Sequence, residues 1–415
     1  MTKSTATLHS FALTLVIAAN FQGAEVPLRY SVGESSSQPA QQSVTVPLHV
    51  EFNRPFIDLE FKKADGSRRT ARFWVDTGGG GFIICEPLAR DLDLKFGPEG
   101  VEDGKRFAST TPPKVTLGGM PLDLEGARAA IAIGEKTIDA GVTAEGLMPG
   151  HVLKRYQVVF DYPGKQFTLA NHGSLKPRGT RIDSPIQQRN GFPRIEAQIG
   201  GQTYGFLLDT GASFTMISQA VLNDWAGKHP DWHRTVGAVG AANMGIGGME
   251  TSATMMRIPD VTLADFHLSA ITAVSRPVGT FEKWMSQMMT GPIVGAIGGN
   301  VLKAFRVQID YANGITYLEK RGEADNALDI VGLTLRAQRD GTYLVAGVSK
   351  ENSPEVIRDI KPGDKLIRVD KIEAPGAPLA SVVNSLRGAP NKLRVLVLER
   401  EGRQFTVKAP AVRIL

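Results

Sequence analysis

The sequence predicts a mainly β protein in which one β-barrel-type lobe occurs twice, followed by a separate, smaller C-terminal unit. Three observations carry that expectation: an internal repeat, short apolar runs with partial alternation and few helical patterns, and a polar break after the second copy. Gly146–Ala170 and Gly295–Glu319 align without a gap, with 9 identities in 25 positions at an offset of 149. Upstream, Phe73-Trp-Val-Asp-Thr-Gly78 aligns with Phe206-Leu-Leu-Asp-Thr-Gly211 at an offset of 133. Both matches occur in the same order, so a unit of about 135 residues has been duplicated. The second copy carries the longer insertion between its motifs.

The elements follow in chain order. Residues 1–24 hold Lys3, the apolar run Phe11–Ala19 and the small residues Gly23 and Ala24. That run is too short for a membrane-spanning helix of about 20 residues and fits the apolar region of a secretory leader. The expectation is an exported chain, periplasmic or secreted, with residues 25–42 as a linker. Residues 43–181 are expected to form the first lobe and 182–320 the second. The polar stretch 321–328 reads as a linker and 329–415 as the C-terminal unit.

Strands are expected at Val44–Phe52 and Phe56–Phe61, broken at Asn53-Arg54-Pro55 and again after Phe61. Phe192–Ile199 and Tyr204–Leu208 read as a hairpin turning at Gly200-Gly201. Helices are expected at Glu86–Leu92 and Ser218–Trp225, the second capped by Ser218. Each copy ends in a strand, Val158–Phe160 or Val307–Ile309, before an Asp-Tyr pair. In the tail, strands are expected at Leu333–Leu335, Tyr343–Val345, Lys365–Val369, Arg394–Leu398 and Gln404–Val407, with short helices at Ser353–Arg358 and Leu379–Leu386.

Composition narrows the function classes. With 42% hydrophobic and 21% charged residues the chain is globular, which excludes collagen-like, coiled-coil and disordered classes. Its net charge of +5 alternates in sign along the tail and forms no basic run with interleaved aromatics, so no nucleic-acid partner is expected. A single cysteine, Cys85, excludes an intramolecular disulfide and reads as a small core residue. His229, Asp231 and His233 lie close together, but Pro230 interrupts the i, i+4 spacing of the histidines and no fourth ligand is near; they read as an exposed loop. Neither a metal nor a cofactor is expected. The glycine clusters match no phosphate-binding pattern, and no serine-hydrolase or zinc-peptidase motif occurs. His151, which aligns with Asn300, reads as a structural polar residue. Trp284, Met285, Met288 and Met289 read as an apolar helix face beside the cleft.

The chemistry lies in Asp76-Thr77-Gly78 and Asp209-Thr210-Gly211. One such tripeptide is a weak signal; two at equivalent places of a duplicated unit are a strong one. A pseudo-two-fold axis passing near both motifs would make the carboxylates face each other. Carboxylates about 3 Å apart cannot both ionise cheaply, so the pair holds one shared proton. Its ionised member can take a proton from water while the other hydrogen-bonds a substrate carbonyl. Glycine lets the two backbones approach, and a threonine hydroxyl can lock each loop across the interface.

These motifs resemble those of the aspartic peptidases, in particular the bacterial retropepsin-like proteins, over residues 43–320. The resemblance implies a two-lobed acid-protease-type fold and endopeptidase activity on a polypeptide substrate, carried by a monomer. Asp76 and Asp209 would be the dyad, Thr77 and Thr210 the interlobe lock, and Gly78 and Gly211 the tight turns. A glycine-rich hairpin closes over substrate in that family. Gly240, Gly245, Gly247 and Gly248 are its candidates in the second lobe, with Gly100–Gly104 in the first. Departures from the family pattern are Gly79 and Ala212 after the motifs, and Pro149 opposite Gly298. Without a hydroxyl donor at 79 or 212 the carboxylates should be less acid-shifted, which predicts activity at mildly acidic to neutral pH.

The tail resembles a bacterial PDZ domain in Val348-Ser-Lys-Glu-Asn-Ser-Pro354 and Ile360-Lys-Pro-Gly-Asp-Lys-Leu-Ile-Arg-Val-Asp370. That implies capture of a peptide, such as a C-terminal one, on a sheet edge at Gly332, Leu333, Thr334 and Leu335. Two other readings stay open: a catalytically silent peptide-binding protein, and a homodimer that pairs Asp209 with its own copy.

Overall fold

The computed structural model describes residues 42–415 except 103, 139–141, 238–252, 325–327, 350–356 and 358. The expected leader, nearly all of the 25–42 linker, the loop bearing Gly240, Gly245, Gly247 and Gly248, and most of the expected 353–358 helix lie outside the described residues.

In the first lobe the strand His49–Glu51 turns through Phe52 and Asn53, both left-handed at φ 50° and 64°, into the long strand Arg54–Lys62. The break expected over Asn53–Pro55 is therefore tighter than its residues suggested. Arg54 and Pro55 already belong to the strand, because a proline near a strand's start costs few ladder bonds. Arg54–Lys62 pairs with Arg68–Asp76, which ends at Asp76, and Gly146–Pro149 runs parallel beside it. Inward-facing Ile57, Leu59, Phe61, Phe73 and Val75 are almost wholly buried. Phe73 stacks on Phe82 with ring centroids 5.3 Å apart. Each such side chain contributes roughly 1.5–3 kcal/mol of hydrophobic stabilisation.

The second lobe repeats this plan more regularly. Its hairpin Phe192–Ile199/Gln202–Leu208 turns at Gly200 and Gly201, both at positive φ, and Gly295–Ile297 runs parallel to the end of the second strand. Thr254–Leu263 and Phe266–Arg276 form one long hairpin, and Thr254–Leu263 also pairs with Phe192–Ile199, closing a barrel. The first lobe breaks the corresponding strand into Lys105–Thr110 and Val115–Leu117. Pro112 and Pro113 lie in that gap and supply no ladder donors. Ser218 caps the helix Gln219–Lys228 by accepting from the Ala220 N–H, as its sequence predicts.

Between the lobes runs a six-stranded sheet in the order Ser43–Pro47, Gln166–Ala170, Gln157–Asp161, Phe305–Asp310, Ile315–Lys320, Thr180–Asp183. Its two central strands are repeat counterparts and pair antiparallel, with Val159 opposite Gln308. Those residues are themselves 149 apart in sequence, so the pseudo-two-fold axis passes through this pair.

The C-terminal unit is a sheet of Leu333–Ala337, Tyr343–Val348, Lys365–Val369, Leu393–Arg400 and Arg403–Pro410, with Ile372–Glu373 paired to the third. The helix Leu379–Leu386 buries Leu379, Val382, Val383 and Leu386 against it. Its apolar core is continuous with Phe107, Ile138 and Val142 of the first lobe. Arg339 reaches Glu135 of that lobe at 2.6 Å. On the other side Arg257, on the long hairpin of the second lobe, donates to the Leu415 carbonyl.

Candidate active site

Asp76 closes a strand of the first lobe, and Asp209 follows the matching strand of the second. The two lobes bring them together: their carboxyl groups are hydrogen-bonded to each other, and each residue is only 3% exposed.

Two crossed pairs of bonds hold the loops. The Thr77 N–H donates to the Thr210 hydroxyl oxygen at 3.1 Å, and the Thr210 N–H to the Thr77 hydroxyl oxygen at 3.0 Å. Each hydroxyl in turn donates to a carbonyl of the opposite strand, Thr77 to Leu208 at 2.6 Å and Thr210 to Val75 at 2.8 Å. All four groups are buried, so each hydroxyl is both donor and acceptor with no competing water.

The glycines are required by space. A Cβ on Gly211 would overlap the Asp76 carboxyl, and one on Gly78 would meet Leu207 Cδ2 at 3.0 Å and Asp209 Oδ1 at 3.1 Å. Behind the motifs, each lobe plugs the other. Asn53 donates its side-chain N–H to the Ser213 carbonyl at 3.1 Å and packs its own carbonyl onto Gly299. In the mirrored position Asn190 and Gly191 pack onto Gly150.

The supports beneath the two carboxyls differ. Asp209 accepts from the Gly211 N–H at 2.8 Å and the Ala212 N–H at 3.2 Å. Asp76 accepts from the Gly78 N–H at 2.9 Å, while the Gly79 N–H turns to the Asp76 carbonyl. Gly298 donates to the Thr215 hydroxyl, a bond its counterpart Pro149 cannot make. Asn300 ties down its loop by accepting from the Thr215 N–H at 2.7 Å and donating to the Thr272 carbonyl at 2.9 Å. His151 takes that place in the first lobe. Burial and then the nearby Arg128, Arg155 and Lys154 charges push its pKa down to about 3, so the ring is neutral.

Burial raises the proton affinity of both aspartates. For Asp76 the charge of Asp209 adds to it, and the pKa lies well above the usual carboxylate range. For Asp209 the two amide donors work against burial, and the bond from Asp76 favours its ionised form. The pair therefore holds a shared proton, which belongs to the dyad as a unit.

Sequence patterns did not signal Arg54. Its guanidinium lies 4.5 Å from the Trp74 ring centroid, Arg54 is 2% exposed, and its charge favours ionisation of both aspartates. An arginine beside a turn carries no pattern; only the fold brings its charge to bear on the dyad. Tyr162 and Tyr311, the repeated tyrosines, are also buried, and their hydroxyls are held protonated by burial and then by the charge of Asp209 and Asp76 respectively.

The remaining candidates lie elsewhere. His229 stacks on Trp232 at 4.3 Å, Asp231 and His233 are exposed, and no metal-binding cluster occurs among the described residues. Cys85 is buried in the core. The methionine segment, expected as an apolar helix face, is a π-helical turn, Thr280–Trp284, followed by a 3-10 turn, Met285–Met288. Met285 and Met289 pack with Phe192, Leu207 and Phe281 in a cluster of their own. In the first lobe, Glu99–Glu102 and Lys105–Thr110 form a hairpin around Gly104, where Gly100–Gly104 was singled out. Gly332 precedes the edge strand Leu333–Ala337, which carries Leu333, Thr334 and Leu335 far from the dyad in sequence. Two amides there are already used within the chain: Val331 donates to Leu386 and Leu333 to Val331.

Residues 195–301, which contain Asp209, match the aspartyl protease family model. No curated protein matches the chain. Among solved structures, the chain is similar to the aspartic proteinase from Irpex lacteus at 13% identity, covering 67% of this chain and 97% of that one, with a TM-score of 0.41. It is also similar to the PDZ domain of a carboxy-terminal protease from Vibrio cholerae, solved in complex with a peptide. That match has 16% identity over 21% of this chain and 98% of that one, at a TM-score of 0.20. A photosystem II D1 C-terminal processing protease is matched at 19% identity over 21% of this chain and 23% of that one, at a TM-score of 0.18.

Proposed function

We propose that this chain is an aspartic endopeptidase acting through Asp76 and Asp209. The observation that carries the proposal is the buried, mutually hydrogen-bonded carboxyl pair inside the crossed Thr77/Thr210 lock. The ionised member of the pair takes a proton from a water molecule as its oxygen attacks the scissile carbonyl carbon. The protonated member gives its proton to the carbonyl oxygen, so a neutral tetrahedral diol forms and the dyad still holds one proton. As the C–N bond breaks, the dyad's proton passes to the leaving nitrogen and one diol hydroxyl returns its proton to the dyad. The products are an acid and an amine.

In this proposal the C-terminal unit is a PDZ-like module that captures extended peptide, and one chain suffices because both aspartates belong to it. The proposal also takes the chain as exported, with residues 1–24 as a cleaved leader. The apolar run Phe11–Ala19 supports this, and N-terminal sequencing of the mature protein tests it.

Asp76→Asn and Asp209→Asn, assayed separately on an unstructured protein, test the catalytic proposal. Each is expected to lower turnover by about 100-fold or more. Loss with Asp209→Asn alone would indicate pairing between two chains. A wild-type chain that binds peptides without cutting them would make it a silent binder.

A further inference from the structure

We propose that the cavity between the first lobe and the C-terminal unit reads an extended peptide lying along Leu333–Ala337, and that it prefers an acidic side chain there. This rests on the reading of the C-terminal unit as a peptide-capturing module.

The edge strand Leu333–Ala337 and the helix Leu379–Leu386 come together at both ends, and the two ends differ. At one end the chain has closed upon itself: Ile330 bridges Arg387, and the Val331 N–H donates to the Leu386 carbonyl. With the Val331 and Leu333 amides occupied, that end has few donors left for a peptide terminus. At the other end, Ala337 finishes the strand and Pro378 precedes the helix, and both line a cavity of about 310 Å³. A peptide that extends along the strand past Ala337 enters this cavity, whichever direction it runs.

The far wall of the cavity belongs to the first lobe, through Glu135, Lys136 and Thr143. Arg339 crosses to Glu135 at 2.6 Å, so these opposite charges cancel and fix the two walls together. Lys136 is exposed and is the remaining charged side chain among the described lining residues. An edge strand offers backbone groups to any sequence, whereas a cation at a fixed point selects by charge. A peptide seated there touches both units at once, which makes the first lobe part of its recognition site.

The test uses the full chain carrying Asp76→Asn, so that peptides are not cut. Two labelled ten-residue peptides, blocked at both ends, share the same four central apolar residues and carry either aspartates or lysines on both sides of them; binding is read by fluorescence anisotropy. The aspartate peptide is expected to bind about threefold tighter at low salt, and Lys136→Glu is expected to reverse that order. Thr143→Trp, which fills the cavity from the lobe side, is expected to weaken both peptides by about tenfold. Circular dichroism of each variant separates a local effect from misfolding. Equal binding of both peptides, unchanged by either variant in a folded chain, overturns the role of the cavity and leaves peptide capture standing. Failure of both peptides to bind overturns peptide capture itself, and the cavity proposal with it.

Discussion

Thr77 and Thr210 hold the two lobes together by exchange, each backbone N–H donating to the other residue's hydroxyl at 3.1 and 3.0 Å. The hydroxyls then reach across to the Leu208 and Val75 carbonyls, so one buried knot fixes both aspartate loops. Thr77→Val keeps the shape but leaves the Leu208 carbonyl and the Thr210 N–H unsatisfied. It is expected to cost about 2–4 kcal/mol of stability. Thr210→Val should cost about the same, and the double variant less than the sum, because losing either hydroxyl loosens the same pair of loops. Urea unfolding of the four proteins measures this; full additivity would mean that the knot is not one unit.

The dyad makes stability fall as pH rises. Both aspartates have raised pKa values in the folded chain, chiefly through burial. Their stabilisation is full below the unfolded value of about 4 and is lost as pH climbs through the folded values. Asp76→Asn removes the larger part of that loss. It is expected to be more stable than the wild type at about pH 8, with the gap closing toward about pH 4. Activity of the wild type should peak at mildly acidic to neutral pH; a maximum below about pH 3 contradicts the raised values.

Arg54 supplies a buried positive charge that favours the ionised dyad. Arg54→Met is expected to move the acidic limb of the rate profile upward by about one pH unit, and Arg54→Lys by less. A profile that keeps its shape and only loses height would show that Arg54 packs against Trp74 without tuning the dyad.

Gly211→Ala and Gly78→Ala should differ in severity. A methyl on Gly211 overlaps the Asp76 carboxyl, whereas the nearest atom to one on Gly78 is the movable end of Leu207. Gly211→Ala is expected to abolish turnover in a folded protein, and Gly78→Ala to reduce it about tenfold. Equal losses would show that backbone shifts, not the local overlap, govern both.

His151 contributes in the opposite direction to the dyad. Its pKa, lowered to about 3, gives stability that is present above about pH 6.5 and lost as pH falls. His151→Asn, the residue of the second copy, should flatten the decline of stability between about pH 6 and pH 4 while keeping activity. An unchanged decline would mean that the ring is not held neutral.

Much of the fold was legible locally. Gly200-Gly201 reads as a two-residue turn because both positions need positive φ, and Ser218 reads as a cap because its oxygen can reach a free helix N–H. The turn at Phe52-Asn53 was not: Asn53 tolerates a left-handed backbone, but Phe52 does not favour one, and pairing of the flanking strands imposes it. The π-helical turn at Thr280–Trp284 was missed for a similar reason: its apolar spacing is also that of an α-helix.

By itself the sequence determined that there are two equivalent aspartates, because a duplication written in 149- and 133-residue offsets is a property of order along the chain. Tertiary structure alone decided that they touch, that they share one proton, and that the Arg54 charge acts on both. It also decided that a wall of the first lobe faces the C-terminal unit across a cavity. Proton affinity depends on burial and on charges brought from distant parts of the chain, and neither exists until the lobes have closed around the Val159–Gln308 axis.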